Sequence, residues 1–390
     1  MKAAALLFTL ALALAGARAE AFDRIGDWFK IAPEAAARWE ADLPDPADEM
    51  RVRMRLKGAP EPTRRIYVVY PRKSSAYDIA MTTLLEAFAS RADPPEIIAV
   101  NFEKDPAQGE AILREAAEEG AALAFAMGSE TVEWLAARPA APPVPVVTIC
   151  AKDPVPLGQI GGYREGSGRN IAFTSLNLLV DVQVEHLKLL KPALKGVAIL
   201  TDESNVSAVE TQARPIAAAL REIGVETADV VVAGAETARS DLERLLPAAL
   251  ERLRAADPEL DDSLIWITGA TAVFAEIGTI NRLSGSVPVL SVAPEVVQAG
   301  EESAALSIGV SFESNARLAA AYAFKVLSGE AAAGDLPVGV VSPPDIAINF
   351  LHARRIGLSI PFPLFEAASA IYGPEGAPAR LNGRSLPPGG

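Results

Sequence analysis

The chain predicts an α/β fold of two doubly wound, parallel-sheet lobes. Two observations carry this expectation. From Arg65 onward, short runs of β-branched and aromatic residues alternate with segments whose apolar residues recur at helical spacing. The connections are short, as parallel crossovers require. The alternation pauses in a polar stretch ending at Asn170 and then restarts, which gives two successive units of similar size. With 390 residues, 50% of them hydrophobic, the chain is long and apolar enough to build two cores.

Residues 20–64 precede the regular pattern. Phe22, Ile25, Trp28 and Phe29 recur at helical spacing, Ile31 follows, and Pro44, Pro46, Pro60 and Pro62 punctuate the rest. The expectation is a small helical extension and then a linker, with the aromatic residues packed on the main body. In the first unit, strands are expected at 66–70, 96–102, 122–127 and 144–150, and helices at 79–91, 109–119 and 130–137. In the second, helices are expected at 181–190, 206–223, 240–255 and 272–283. Strands are expected there at 196–200, 226–232, 263–268 and 287–292. The segment after Tyr372 is rich in Gly and Pro and reads as a disordered tail.

The N-terminus carries Lys2, an apolar run from Ala3 to Ala15, and the small-x-small site Ala17-Arg18-Ala19. That pattern predicts a cleavable signal peptide over 1–19 and export. No later stretch reaches about 18 uninterrupted apolar residues, so a soluble mature chain is expected. The formal net charge of −14 becomes −16 once Lys2 and Arg18 are removed. Such an acidic surface disfavours nucleic acid and anionic membranes as partners. The only cysteine, Cys150, follows the apolar run Val144 to Ile149. It reads as a small buried residue at a strand end and excludes an intramolecular disulfide.

The catalytic signatures are missing. There is no G-x-x-x-x-G-K-[ST] phosphate loop and no G-x-S-x-G elbow. His186 and His352 are far apart, each in an expected helix, with no metal-ligand spacing. Gly166-Ser167-Gly168 lies in a polar segment and reads as a turn. The expectation is therefore a non-enzymatic chain with no cofactor and no metal. What stands out is four polar clusters where a strand hands over to a helix. They are Ser74-Ser75-Ala76-Tyr77-Asp78, Gly128-Ser129-Glu130-Thr131, Thr201 to Ser207, and Thr268-Gly269-Ala270-Thr271. Hydroxyls and free N–H groups at helix starts suit a carboxylate or another polar group. The same residue types are ordinary helix caps. Two clusters fall in each unit.

Three stretches carry a resemblance to a known family. The first runs from Val144-Pro145-Val146-Val147 through Ala151-Lys152-Asp153-Pro154-Val155 and Gly158 to Gly168-Arg169-Asn170-Ile171. The second is Leu187-Lys188-Leu189-Leu190-Lys191-Pro192 with the strand that follows. The third comprises Gly329, Asp335-Leu336-Pro337, Ile348-Asn349 and Ala353 to Pro361. In this order the chain resembles the ABC-transporter substrate-binding proteins that include the tryptophan- and tyrosine-binding receptors. The resemblance spans about Arg65 to Tyr372.

It implies a periplasmic-binding-protein fold of type I, with three crossovers between lobes. Lobe 1 would comprise 65–170 plus 305–338, lobe 2 171–304 plus 339–372, and the tail 373–390. It implies a monomeric periplasmic receptor that captures a small organic ligand, amino-acid-like or a carboxylate, for an inner-membrane ABC permease. The alternative is a sensing module reporting to a membrane signalling protein or outer-membrane receptor, suggested by the extension at 20–64. The expected contacts are Ser74, Ser75, Tyr77, Ser129, Glu130, Thr131, Asp153, Ser204, Asn205, Thr268 and Thr271. Tyr77 would stack on the ligand, and Glu130 or Asp153 would pair with an amine. The chain departs from the family pattern at Ala172-Phe173, where the family has Thr-Gly, and at Ile308-Gly309, where it has an aromatic residue before the glycine.

Overall fold

The structure, a computed structural model, describes residues 26–387. The expected signal peptide, Phe22, Ile25 and the last three residues lie outside that range. Two units form, one from the residues up to Ser175 plus Asn315–Gly339, the other from Leu176–Ser314 plus Val340 onward. The chain therefore passes between them three times.

The first unit contains β1 (Trp39–Asp42), β2 (Arg51–Leu56), β3 (Arg65–Tyr70), β4 (Glu96–Asn101), β5 (Leu123–Met127), β6 (Val146–Ile149), β7 (Ile171–Ala172) and β8 (Thr174–Ser175). The first seven form one sheet in the order β1-β2-β4-β3-β5-β6-β7. From β4 to β7 every pairing is parallel. The central strands β4, β5 and β6 are buried along their whole length, as expected of strands covered on both faces. Helices Ser75–Ala89, Pro106–Glu118 and Gly128–Ala137 connect them. Phe88 packs edge-on against Phe125 and against Phe324, which the returning helix Phe312–Leu327 supplies.

The segment 26–64 is built differently from the helical extension and linker expected of it. After one short helix, Pro33–Arg38, the chain forms the antiparallel pair β1–β2, and β2 joins the sheet antiparallel to β4. The cause is the strict alternation Arg51-Val52-Arg53-Met54-Arg55-Leu56. Val52 and Met54 are fully buried. The arginines on the opposite face pair with Glu115, Asp42 and Glu96. Trp28 and Phe29 do pack on the main body, edge-on against Tyr70.

The second unit contains β9 (Gly196–Asp202), β10 (Glu226–Val232), β11 (Ser263–Ile267), β12 (Val289–Ser291), β13 (Leu306–Gly309), β15 (Asp345–Asn349), β16 (Ala370–Tyr372), β17 (Pro378–Leu381) and β18 (Arg384–Ser385). The short β14 (Gly339–Val340) spans the last boundary. The second sheet runs β10-β9-β11-β12-β13-β15-β16-β17-β18. Pairing is parallel from β10 to β13, and β15 is antiparallel to β13.

Three boundaries differ from expectation. Residues 171–175, expected with the second lobe, hold β7 and β8 and belong with the first unit. Residues 305–314 belong with the second unit, because β13 is wholly buried between β12 and β15. Gly309 sits so close to the Val292 carbonyl that a Cβ there would lie 1.7 Å from its oxygen. Only glycine fits at such an approach. Residues 373–387, expected to belong to a disordered tail, carry strands β17 and β18. Asn382-Gly383, both at positive φ, turn β17 into β18 and add a hairpin to the sheet. No helix among the described residues is long and apolar enough to cross a membrane.

Candidate functional site

In a parallel sheet, chemistry collects beyond the carboxyl ends of the strands, where loops enter helix N-termini. In the first unit these ends belong to β3, β5 and β6. Ser74 takes the extended N-cap position of helix Ser75–Ala89, and its side chain makes no capping hydrogen bond. Ser75 is exposed. Ser129 stands in the first turn of helix Gly128–Ala137 and its Oγ accepts the Lys152 N–H at 3.0 Å. This bond ties the loop after β6 to the helix after β5. Thr131 is fully buried and donates to the Met127 carbonyl of its own helix at 2.7 Å, so its hydroxyl is already used.

Tyr77 was expected to offer a ring face to a ligand; its ring instead packs within the unit. It is 4% exposed, edge-on to Tyr70, with the Arg72 guanidinium 5.7 Å from its ring centre. Its hydroxyl donates to Glu130 Oε2 at 3.3 Å. Gly128, at φ +80°, makes room for it: a Cβ there would fall 2.0 Å from the Tyr77 hydroxyl. Glu130 accepts from Arg72 Nε at 2.7 Å and pairs with Lys104 Nζ at 3.2 Å. Burial alone would raise its pKa, but these cations hold it below the ordinary carboxylate value. Its charge is thus balanced inside the protein. Asp153 is buried and accepts from Tyr163 Oη at 2.7 Å and Val155 N–H at 3.0 Å. Burial pushes its carboxyl up, against those two donors.

Lys152, three residues past β6, joins these groups. It is 9% exposed. Its ammonium has no hydrogen-bond or ion-pair partner among the described residues, and burial pushes its pKa down to about 8. The signal in the sequence is a lysine three residues past the end of the apolar strand β6. Cys150, buried as expected, takes φ +54° and donates its N–H to Asn315 Oδ1 at 2.7 Å. Asn315 Nδ2 donates to the Ser175 carbonyl at 3.1 Å, so one buried amide ties together three separated points of the chain.

In the second unit the strand ends belong to β9 and β11. The exposed Ser204 donates its Oγ and N–H to Asp202 Oδ1 at 2.7 and 2.9 Å. Asn205 Oδ1 caps Ala208 N–H, and its Nδ2 donates to the Gly269 carbonyl at 3.0 Å. Gln212 Oε1 accepts the Gly269 N–H at 2.6 Å, so the loop between Thr268 and Thr271 is clamped on both sides. Thr268 is buried and donates to the Leu200 carbonyl, whereas Thr271 is exposed at the start of a four-residue helix.

The helix entered at Val206 widens into a π segment over Val209–Ala213. Pro215 lacks the N–H that Thr211 would otherwise receive, and the freed Thr211 carbonyl accepts Asn177 Nδ2 at 3.0 Å. After β12, Glu295 accepts the Phe312 N–H at 2.8 Å with one carboxyl oxygen. The other oxygen is buried without a partner among the described residues. Burial first, then the nearby Asp345 and Glu313, pushes its pKa up to about 7.

The structure thus gathers Ser74, Ser75, Ser129, Glu130 and Asp153 near strand ends of the first sheet. It gathers Ser204, Asn205, Thr268 and Thr271 at those of the second. Sequence patterning missed Lys152, Gln212 and Glu295. Among the described residues no group of three or more His, Cys, Asp or Glu is placed to hold a metal ion.

Two parallel-sheet units, crossed three times by the chain, define a type I periplasmic-binding-protein fold, the two-lobed architecture of solute receptors. The family model "ABC transporter substrate binding protein" matches residues 92–371, and the chain belongs to that family. Three solved structures share the fold. One is an ABC domain in complex with L-Trp from Streptococcus pneumonia, at TM-score 0.61 and 19% identity, covering 79% of this chain and 99% of that one. The second is a conserved domain protein from Vibrio cholerae, at TM-score 0.60 and 19% identity, with the same coverage. The third is a ligand-free, open substrate-binding protein with adhesive properties from Clostridium difficile. It has TM-score 0.57 and 18% identity, covering 77% of this chain and 97% of that one. No curated protein sequence matches significantly.

Proposed function

We propose that this chain is a periplasmic, non-catalytic solute receptor of an ABC-type uptake system. Family membership supports a small-molecule ligand and a transporter partner. The single observation that carries the ligand reading is the set of polar groups at the carboxyl ends of β3, β5 and β6. There Ser74 leaves its hydroxyl uncommitted to capping, and Ser129 heads a ten-residue helix. First-turn N–H groups without an intrahelical acceptor hold a carboxylate well. The ligand is accordingly a small carboxylate or an amino-acid-like molecule. The proposed contacts on the first unit are Ser74, Ser75 and Ser129; those on the second unit are Ser204, Asn205 and Thr271. Glu130, Asp153, Tyr77, Thr131 and Thr268 act mainly by holding these loops in place.

The sensing alternative uses the same ligand site. Its motive was a separate N-terminal extension, and the described part of that segment is woven into the first sheet. Thermal-shift screening against amino acids, carboxylates and purines tests the proposal. At least one carboxylate should raise the melting temperature, and Ser129→Trp should abolish that rise. If no small molecule acts and Ser129→Trp changes nothing, the site is misplaced.

A further inference from the structure

We infer that Lys152 is the anchor for a carboxylate group of the ligand, so that the receptor selects anionic over neutral solutes. The inference deepens the receptor reading and rests on it. Three observations carry it. First, the Lys152 side chain is about nine-tenths buried, its ammonium keeps only a small opening to solvent, and no carboxylate or hydrogen-bond acceptor meets it among the described residues. A largely buried cation without a partner is unfavourable, so such groups are normally paired. Second, the acids that flank it in sequence or space are committed elsewhere. Asp153 accepts from Tyr163 and Val155, and Glu130 is held by Arg72 and Lys104. Neither is left to neutralise Lys152.

Third, the surroundings are those of an anion site. The Lys152 backbone is bonded to Ser129 in the first turn of helix Gly128–Ala137. Cys150, two residues before it, places its Sγ 4.0 Å from the Ala76 carbonyl, in the first turn of helix Ser75–Ala89. The loop that carries Lys152 therefore touches the first turns of two helices, of 15 and 10 residues. Each helix presents positive dipole ends and N–H groups with no acceptor of their own. A ligand carboxylate would supply the missing partner for all three.

The test uses the full chain labelled with lysine carrying 13C at Cε, titrated with sodium acetate and, separately, with neutral acetamide at matched ionic strength. The Lys152 signal is identified by its loss in Lys152→Met, or in Lys152→Arg if the methionine variant does not fold. Acetate should shift that signal saturably and raise its pKa by one pH unit or more, while acetamide leaves it unmoved. An equal response to both probes, or to neither, overturns the inference. In parallel, every compound found in the thermal-shift screen is titrated into wild type and the variant. A carboxylate that binds wild type at least tenfold more tightly supports the anchor. A ligand that binds both equally overturns it and leaves the receptor reading standing. A screen with no binder removes the receptor reading, while the acetate arm still decides the anchor.

Discussion

Replacing Lys152 by methionine should make the ligand-free protein more stable at neutral pH. The magnitude follows from the ammonium's environment. Burial brings its pKa from the ordinary 10.5 down to about 8. At about 1.4 kcal/mol per pH unit, that gap corresponds to roughly 3 kcal/mol of destabilisation by the charged form. The sign is fixed by linkage. A cation depressed on folding contributes stability above its unfolded pKa and loses it as pH falls through the folded pKa. Wild type should therefore carry the full penalty below about pH 8 and none above about 10.5. Methionine keeps an unbranched apolar stem of similar length, so the packing around it is retained. Denaturant unfolding of both proteins at pH 7, 9 and 10.5 measures the difference. The variant should be more stable by about 1–3 kcal/mol at pH 7, and the gap should close at the highest pH. A less stable variant at pH 7, or a gap that does not change with pH, would refute the reasoning.

Glu295 gives a second, opposite pH dependence. Its folded pKa of about 7 lies above the ordinary 4.5, so its contribution is fully present below about pH 4.5 and is lost as pH rises through 7. Wild type should lose about 2–3 kcal/mol relative to Glu295→Gln between pH 5 and 8, followed by urea unfolding. Gly309→Ala places a Cβ 1.7 Å from the Val292 oxygen, so it should lower stability by more than about 3 kcal/mol or prevent soluble expression. Met54→Ala should cost about 2–4 kcal/mol in the unfolding of the first unit, because Met54 is fully buried in β2. A variant as stable as wild type would show that the N-terminal segment is an appendage after all.

Much of the fold was legible because apolar runs without alternation, such as those of β3, β5 and β9, have one reading in a chain where helices intervene. The misreadings have local causes. In β2, arginines between Val52 and Met54 hid a strand whose polar face is laced to Glu115, Asp42 and Glu96. At the C-terminus, a Gly- and Pro-rich composition masked the Asn382-Gly383 turn, a short-range hairpin signal. The boundary near 305–314 depends on pairing between strands distant in sequence, which no local pattern reveals.

The site was legible as a set of loops and less so as a set of contacts. Residue type does not separate Thr131 and Thr268, whose hydroxyls are buried and donate to the Met127 and Leu200 carbonyls, from Ser74, whose hydroxyl caps nothing. Likewise, the charges around Glu130 come from Arg72 and Lys104 on separate loops. The burial of Lys152 follows from its place past the end of β6, between the first sheet and its helices, which no local pattern encodes.

The most direct test of the receptor account is calorimetric titration with each compound that raises the melting temperature, followed by recovery of that compound. The account predicts one molecule bound per chain and chemically unchanged ligand after prolonged incubation. Binding by no compound, or conversion of the bound one into a product, would contradict it.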